Sequence, residues 1–112
     1  MSTSLSKKYY TIGETADILN LPASTLRYWE SVFPMIRPQR TSHGRRTYTP
    51  SDIEKLRMVK YLLHDRGMHI EAAREELKRN RDGVLKHSEA IDTLKRVRAE
   101  LVSVLDALHA LR

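Results

Sequence analysis

Cysteine is absent from this chain of 112 residues, and long apolar runs are absent as well. Without a thiolate, the chain can form neither a disulfide nor a thiol-based metal or redox site. No apolar run approaches the roughly 20 residues that span a bilayer, and residues 1–8 lack the apolar segment of a secretory signal. We therefore expect a soluble, cytoplasmic protein with a mobile tail at residues 1–8 and no membrane partner.

Patterns typical of enzymes and metal sites are equally hard to find. The chain has no glycine-rich phosphate loop and no Gly-x-Ser-x-Gly sequence. Its histidines lack the close spacing that metal ligands on one helix require; they are His43, His64, His69, His87 and His109. The sequence predicts no catalytic activity, no metal, no cofactor and no response to a small-molecule inducer.

Negative charge is scarce in the middle of the chain. The formal net charge is +6, and between Arg27 and Lys60 eight Lys or Arg residues face only three acids. From Arg81 onward the balance is nearly even, with six cations and five acids. A concentrated positive region favours a polyanionic partner, because binding phosphates releases condensed counterions. The C-terminal part is expected to have a different task.

Two short helices are predicted near the N-terminus. Thr11 and Glu14 form a capping-box pattern that opens the first helix, and Asn20 is a suitable left-handed stop. The second helix is predicted from Ala23 to about Val32, because the residue before a proline avoids the α region and Phe33 precedes Pro34. Two helices joined by so short a turn predict a helix-turn-helix.

A hairpin and two further helices are predicted next. The segment 36–48 contains strand-forming residues on both sides of Ser42-His43-Gly44, which suits a chain reversal. Thr49-Pro50-Ser51-Asp52 is typical of a helix start, and apolar spacing continues that helix up to Gly67. Ile70, Ala73 and Leu77 mark a fourth helix that ends near Gly83. The unit formed by the helix-turn-helix, the hairpin and the two further helices would then occupy residues 9–82.

Residues 84–112 contain neither proline nor glycine, and apolar residues recur there in alternating steps of three and four. This spacing predicts a heptad seam on one long helix. An alternative is that the helix folds back onto the rest of its own chain as an ordinary amphipathic element. The predicted dimerisation residues are Leu94, Val97, Leu101, Val104, Leu105, Leu108 and Leu111.

The order of these motifs resembles the MerR family of bacterial transcription regulators. The resemblance rests on Leu26-Arg27-Tyr28-Trp29-Glu30, Arg37-Pro38-x-Arg40, Gly44-Arg45-Arg46-x-Tyr48 and Asp52-Ile53-x-x-Leu56, and it spans roughly residues 10–77. It implies a mainly α fold, a winged helix-turn-helix of four helices followed by a long antiparallel coiled-coil helix. It also implies a homodimer that binds a pseudo-palindromic promoter site in double-stranded DNA, distorts the spacer and has RNA polymerase as a further partner. The form Arg-Tyr-Trp-Glu is similar to the branch that includes cobalamin-dependent light regulators and biofilm activators.

The resemblance also implies which residues on the helices bind DNA. Arg27 and Tyr28 are expected to contact phosphates or base edges, and neighbouring residues on a helix cannot both face the core. Alternatively, Arg27 pairs with an acid and Tyr28 is a half-buried surface aromatic. Ser24 and Thr25 are placed for contacts at the positive helix end, and Thr11 is a further candidate. Trp29 is interpreted as a packing residue rather than as a base-stacking residue.

The wing supplies the remaining candidates. Arg45 and Arg46 would alternate in direction along a strand, so that one binds phosphate and the other lies along the groove side. Arg37, Arg40 and His43 could join them, although a basic hairpin that serves only solubility is the alternative. Tyr48 could donate to a phosphate or could hold the wing against the third helix.

One departure from the family is the missing sensor region, which many members carry after the dimerisation helix. Either the protein regulates without a sensor of its own, or the sequence is a DNA-binding fragment. Two other functions stay open at this point: an excisionase-like architectural DNA-binding protein and a helical adaptor that binds only protein. The predicted seam argues against the first of these, and the arginine-rich wing argues against the second.

Overall fold

A computed structural model describes residues 6–111 of the chain, and these form a small helical unit from which one long helix extends. Residues 1–5 of the predicted tail lie outside this range. In the part that is described, no helix is long and apolar enough to cross a membrane. The elements are β1 (Tyr10–Thr11), α1 (Ile12–Leu19), α2 (Ala23–Val32), β2 (Gln39–Arg40), β3 (Arg46–Tyr48), α3 (Pro50–Lys60), a π-helical turn (Tyr61–Asp65), α4 (Ile70–Arg79) and α5 (Arg81–Ala110).

The helix-turn-helix formed by α1 and α2 has the ends that the sequence predicts. Thr11 caps α1 through a reciprocal capping box with Glu14. Asn20 ends the helix at φ 55°, in the left-handed region that asparagine tolerates. Phe33 ends α2 in an extended conformation, directly before Pro34. These local signals are each satisfied within a few residues, which explains why sequence alone locates the two helices.

The wing belongs to a three-stranded antiparallel sheet in the order β1-β3-β2. Tyr10 pairs with Tyr48, and Arg40 pairs with Arg46 across the hairpin. The reversal closes through Gly44, which donates its amide to the Thr41 carbonyl at 2.9 Å and has a φ of 80°. Because β1 directly precedes α1, the sheet ties the wing to the start of the helix-turn-helix.

The core lies between the sheet and the helices. Leu26, Phe33, Tyr48, Ile53 and Leu56 are each fully buried within it. Two basic side chains from later helices complete the ends of the first two: the Lys60 ammonium donates to the Leu19 carbonyl at 2.7 Å, and Arg74 donates to the Val32 carbonyl at 3.3 Å. Cations at helix C-termini satisfy free carbonyls and oppose the negative end of the helix dipole. Burial, with Lys95 nearby, lowers the pKa of Lys60.

The boundary between α4 and α5 differs from the prediction. The fourth helix ends at Arg79 rather than near Gly83, and the chain turns at Asn80 before α5 starts at Arg81. Gly83 lies inside the first turn of α5, where a Cβ would come within 2.6 Å of the Asn80 side chain. The glycine therefore permits a close approach and does not stop a helix.

The two ends of α5 have different surroundings. Val84 and Ser88 are buried against the helical unit, so the base of this helix is part of the core. Farther along, the apolar side chains are exposed to solvent, and Leu94 and Leu101 are 63% and 60% accessible. The alternative in which the whole helix folds back onto its own chain does not hold for the described residues. The exposed large apolar residues of this part are Leu94, Val97, Leu101, Val102, Val104, Leu105, Leu108 and Leu111.

Candidate nucleic-acid interface

One face of α2 enters the core and the other faces solvent. Leu26 and Trp29 are buried, whereas Arg27, Tyr28 and Ser24 are exposed. The N-cap of α2 is Pro22, which offers no side-chain acceptor to the first amides of the helix. The positive end of the helix dipole is therefore not neutralised by a capping side chain, as an anion-binding helix end requires.

Trp29 has the packing role that the sequence predicts. Its side chain is 3% exposed, and its ring meets the His64 ring edge to face, with centroids 5.8 Å apart. It is therefore not available to stack on a base. Its neighbour Tyr28 is 53% exposed, so the ring that the sequence leaves on the outer face is the one open to a ligand.

Arg27 is also open to a ligand. Among residues 6–111 no acid lies within ion-pairing distance of its guanidinium, so the alternative of a structural ion pair has no support in the structure. An exposed cation beside an exposed phenol can reach both phosphate oxygens and base edges.

The tip of the wing is basic and solvent-exposed. Arg40, His43 and Arg45 are all exposed around the turn, and Arg40 donates to the Gly44 carbonyl at 3.1 Å. Arg37 lies at the base of the hairpin, where its Nε donates to the Pro34 carbonyl at 2.9 Å. These hydrogen bonds orient the side chains through backbone acceptors and leave their charge uncompensated. Since residues 31–51 contain no acid, the positive field of this segment is not locally cancelled.

Arg46 and Tyr48 have a different environment, which the sequence did not reveal. Both point toward α2, where Glu30 accepts from Arg46 Nε at 3.0 Å and from the Tyr48 hydroxyl at 2.5 Å. The carboxylate is largely shielded, with 13% of the Glu30 side chain exposed and 24% of that of Arg46. The two wing residues are two positions apart on β3 and therefore share one face of the strand. That spacing, together with an acid late in α2, is the signal that could have indicated the contact.

Tyr48 ties the wing to α2 through its hydroxyl, while its ring lies in the core together with Ile53 and Leu56 of α3. Its ring is fully buried, and burial, reinforced by the hydrogen bond to Glu30, raises the pKa of its phenol well above the usual value. The hydroxyl therefore stays protonated and remains a donor to Glu30 at any ordinary pH. No part of this side chain is open to solvent in the structure, so the contact with Glu30 is the role its position supports.

Two further residues of the predicted site belong to the helix-turn-helix. Thr25 is partly buried, whereas Thr11 is exposed and uses its hydroxyl to cap α1. The Glu14 carboxylate also pairs with Lys7, and this hydrogen bond lowers the pKa of Glu14. The structure thus brings Lys7 of the predicted tail back onto α1.

The histidines do not assemble a metal site in the part of the chain that the structure describes. Within residues 6–111 no group of three or more His, Asp or Glu side chains is placed to hold a metal ion. His43 is exposed on the wing, and His64 packs against Trp29. The described buried polar side-chain atoms all have hydrogen-bond partners. The chemistry that this surface offers is therefore that of exposed cations, hydroxyls and one phenol.

Comparison with known proteins agrees with this geometry. The family model for MerR HTH family regulatory proteins matches residues 10–80. The HTH-type transcriptional regulator MlrA of Salmonella typhimurium is 36% identical over 61 residues, which are 54% of this chain and 25% of that protein. The chain spans between a quarter and about half of the length of such curated relatives.

Two solved structures share the fold. A MerR family transcriptional regulator from Bacillus cereus superposes with a TM-score of 0.57 at 19% identity, covering 89% of this chain and 77% of that one. HiNmlR, a MerR family regulator that lacks the sensor domain and is bound to promoter DNA, gives a TM-score of 0.54 at 23% identity, covering 90% and 85%. At these identities the likeness establishes the winged helix-turn-helix with its long C-terminal helix, as the sequence predicts.

Proposed function

This chain belongs to the MerR family of helix-turn-helix regulatory proteins, and we propose that it binds promoter DNA as a homodimer and regulates transcription in the cytoplasm. Its relatives are transcription regulators, and an enzymatic role has no basis in them. The observation that carries the proposal is one surface. The exposed face of α2, with Arg27 and Tyr28, and the acid-free wing belong to a single unit that Glu30 joins.

In this proposal α2 enters the major groove, which is wide enough to admit a helix. Tyr28 and Thr25 then meet base edges, while Arg27 and Ser24 contact the sugar-phosphate backbone near the helix start. Tyr28 carries the sequence preference because it is the large exposed side chain at the middle of this face. Thr11, at the start of α1, contributes a further backbone contact.

The wing supplies affinity that is independent of sequence. Arg40, His43 and Arg45 lie exposed at its tip, where they can contact phosphates beside the groove, and Arg37 extends this row at the base. Arg46 and Tyr48 take part by holding β3 against α2. A phosphate-binding wing and a base-reading helix are two separable contributions, which is what makes the proposal testable residue by residue.

The homodimer is proposed from the exposed apolar face of α5. Seven residues of the predicted seam, from Leu94 to Leu111, are between 41% and 82% accessible in the single chain. So large an apolar stripe at heptad spacing favours pairing with an identical helix. In the antiparallel arrangement of the family, two heads would then bind the halves of a pseudo-palindromic site and distort its spacer, with RNA polymerase as the further partner.

The test is selection from a random duplex library with the purified protein, followed by binding titrations. We expect the enriched sequences to contain two inverted half-sites, and the affinity for the enriched duplex to exceed that for a scrambled duplex by at least 1000-fold, as for specific regulators. Tyr28→Ala should reduce this ratio, whereas Arg45→Ala should weaken both duplexes alike. A selection that enriches no sequence would reject the proposed function.

A further inference from the structure

The contact between Glu30 and the wing differs from five other ion pairs among residues 6–111. In each of those five pairs at least one side chain is more than 40% exposed. Here both side chains are at most 24% exposed. The Tyr48 hydroxyl adds a second donor to the same carboxylate, so both of its oxygens are engaged by β3. A shielded carboxylate that accepts two hydrogen bonds holds its partners in a far more defined geometry than a surface pair does.

The wing depends on such a contact for its orientation. Strands β2 and β3 contain two and three residues, and a hairpin of that size is not stable by itself in water. Tyr48 pairs with Tyr10 of β1, which anchors the C-terminal end of β3 to the start of α1. The Glu30 contacts anchor the same strand to α2 and reach Arg46, where β3 begins. They are the hydrogen bonds that tie the described wing residues directly to the helix carrying Arg27 and Tyr28.

We propose that Glu30 is a specificity-determining positioning residue, which fixes the angle between α2 and the wing. At this angle, both elements can contact one duplex only when the base sequence allows α2 to insert completely into the major groove. This inference rests on the proposed DNA-binding function. Glu30 neutralises Arg46, so it withholds one cation from non-specific phosphate contact. It also restricts movement of the wing relative to α2, so that the wing cannot bind phosphates while α2 is incompletely inserted in the groove. Both effects lower the affinity for wrong sequences relative to the right one.

The test compares Glu30→Gln with the wild type on two duplexes across a salt series, the enriched duplex and a scrambled one. Glutamine can still accept from Tyr48 but cannot neutralise Arg46. We expect the scrambled duplex to bind at least as tightly as to the wild type, with the salt slope larger by about one unit as Arg46 becomes free for phosphate. We expect the enriched duplex to bind more weakly, so that the ratio of affinities falls at least fivefold.

The matched control is Glu54→Gln, which removes the same charge from an exposed position on α3 whose side chain has no hydrogen bond or ion pair with any described residue. Its ratio should stay within twofold of the wild type. Backbone relaxation by NMR, measured without DNA, gives an independent readout. Order parameters of the amides from Thr41 to Arg46 should fall in Glu30→Gln and stay unchanged in Glu54→Gln.

A folded Glu30→Gln protein with an unchanged affinity ratio and an unchanged wing would overturn the inference. Should that variant fail to fold, Tyr48→Phe decides by the same two readouts, because it removes one hydrogen bond to Glu30 and keeps the buried ring. A wild-type protein that enriches no DNA sequence rejects the proposed function instead, and the relaxation data then still show whether Glu30 orders the wing.

Discussion

Replacing two seam residues of α5 with glutamate should convert the proposed dimer to monomers. Leu101 and Leu108 lie seven residues apart on the helix and are 60% and 56% exposed in the single chain. In a paired seam these fractions would be buried. Glutamate at both positions removes the apolar surface and places two charges of each chain in the interface, where they have no partner.

The magnitude follows from the exposed fractions. Complete burial of a leucine side chain contributes roughly 1.5–3 kcal/mol, so burying slightly more than half of one contributes about 1–1.5 kcal/mol. Two copies present four such side chains, and their loss costs about 4–6 kcal/mol of dimerisation free energy. At 1.4 kcal/mol for each factor of ten, the dissociation constant should rise by about three to four orders of magnitude, before charge burial is added.

Sedimentation equilibrium measures this directly, because the chain mass is 13.0 kDa and a dimer has twice that mass. The matched control is Ser103→Glu with Ala110→Glu, which adds the same charge at the same spacing on the exposed face turned away from the seam. It should remain dimeric at concentrations where the leucine double variant is monomeric. An intact dimer in the leucine variant, or equal dissociation in both, would show that the helices do not pair through this stripe.

Three further results are expected. Arg45→Ala should reduce the salt slope of DNA binding by about one unit and weaken enriched and scrambled duplexes equally, so a change confined to the enriched duplex would assign it to base recognition. Leu26→Ala empties a fully buried site and should lower the free energy of unfolding in urea by about 3 kcal/mol, whereas a loss below 1 kcal/mol would mean that α2 repacks. Lys7→Ala should raise the pKa of Glu14 toward its ordinary value in an NMR titration. Because the lowered pKa stabilises the folded state at pH values above the ordinary one, that variant should also lose less stability as the pH falls; an unchanged Glu14 pKa would remove Lys7 as the cause.

Features whose cause lies within a few residues were predictable from the sequence. The capping box at Thr11 and the helix start at Thr49 depend on side chains three positions away, and the stop at Asn20 depends on the left-handed conformation of that residue itself; all three are present. The same holds for the wing turn at Gly44, where the backbone itself needs a positive φ. Apolar periodicity located the core face of α2, including the burial of Trp29.

Features set by the tertiary arrangement, without a local signature in the sequence, were not predictable in the same way. Gly83 was interpreted as a helix stop, because a glycine after an apolar periodic segment is typical of one. Its actual role depends on the Asn80 side chain, whose position is set by the turn between α4 and α5. Glu30 and Arg46 are in contact although they lie 16 positions apart in the sequence. The family signature contains both residues but does not indicate that they are in contact. The π-helical turn at Tyr61–Asp65 likewise has no local signature in the sequence.

Two connections that the sequence did not reveal fix the geometry on which the proposed function depends. Glu30 joins the wing to α2, so the residues proposed to hold phosphates keep a set distance from those proposed to read bases. The buried base of α5 joins the helical unit to the seam, because Val84 and Leu94 belong to one uninterrupted helix. At 1.5 Å per residue the seam from Leu94 to Leu111 is about 25 Å long, a stiff segment rather than a flexible linker. Pairing of two such helices would therefore fix both the separation and the tilt of the two heads. A dimer built in this way can match only one half-site spacing, and a promoter with a different spacing must be bent or twisted to be bound by both heads.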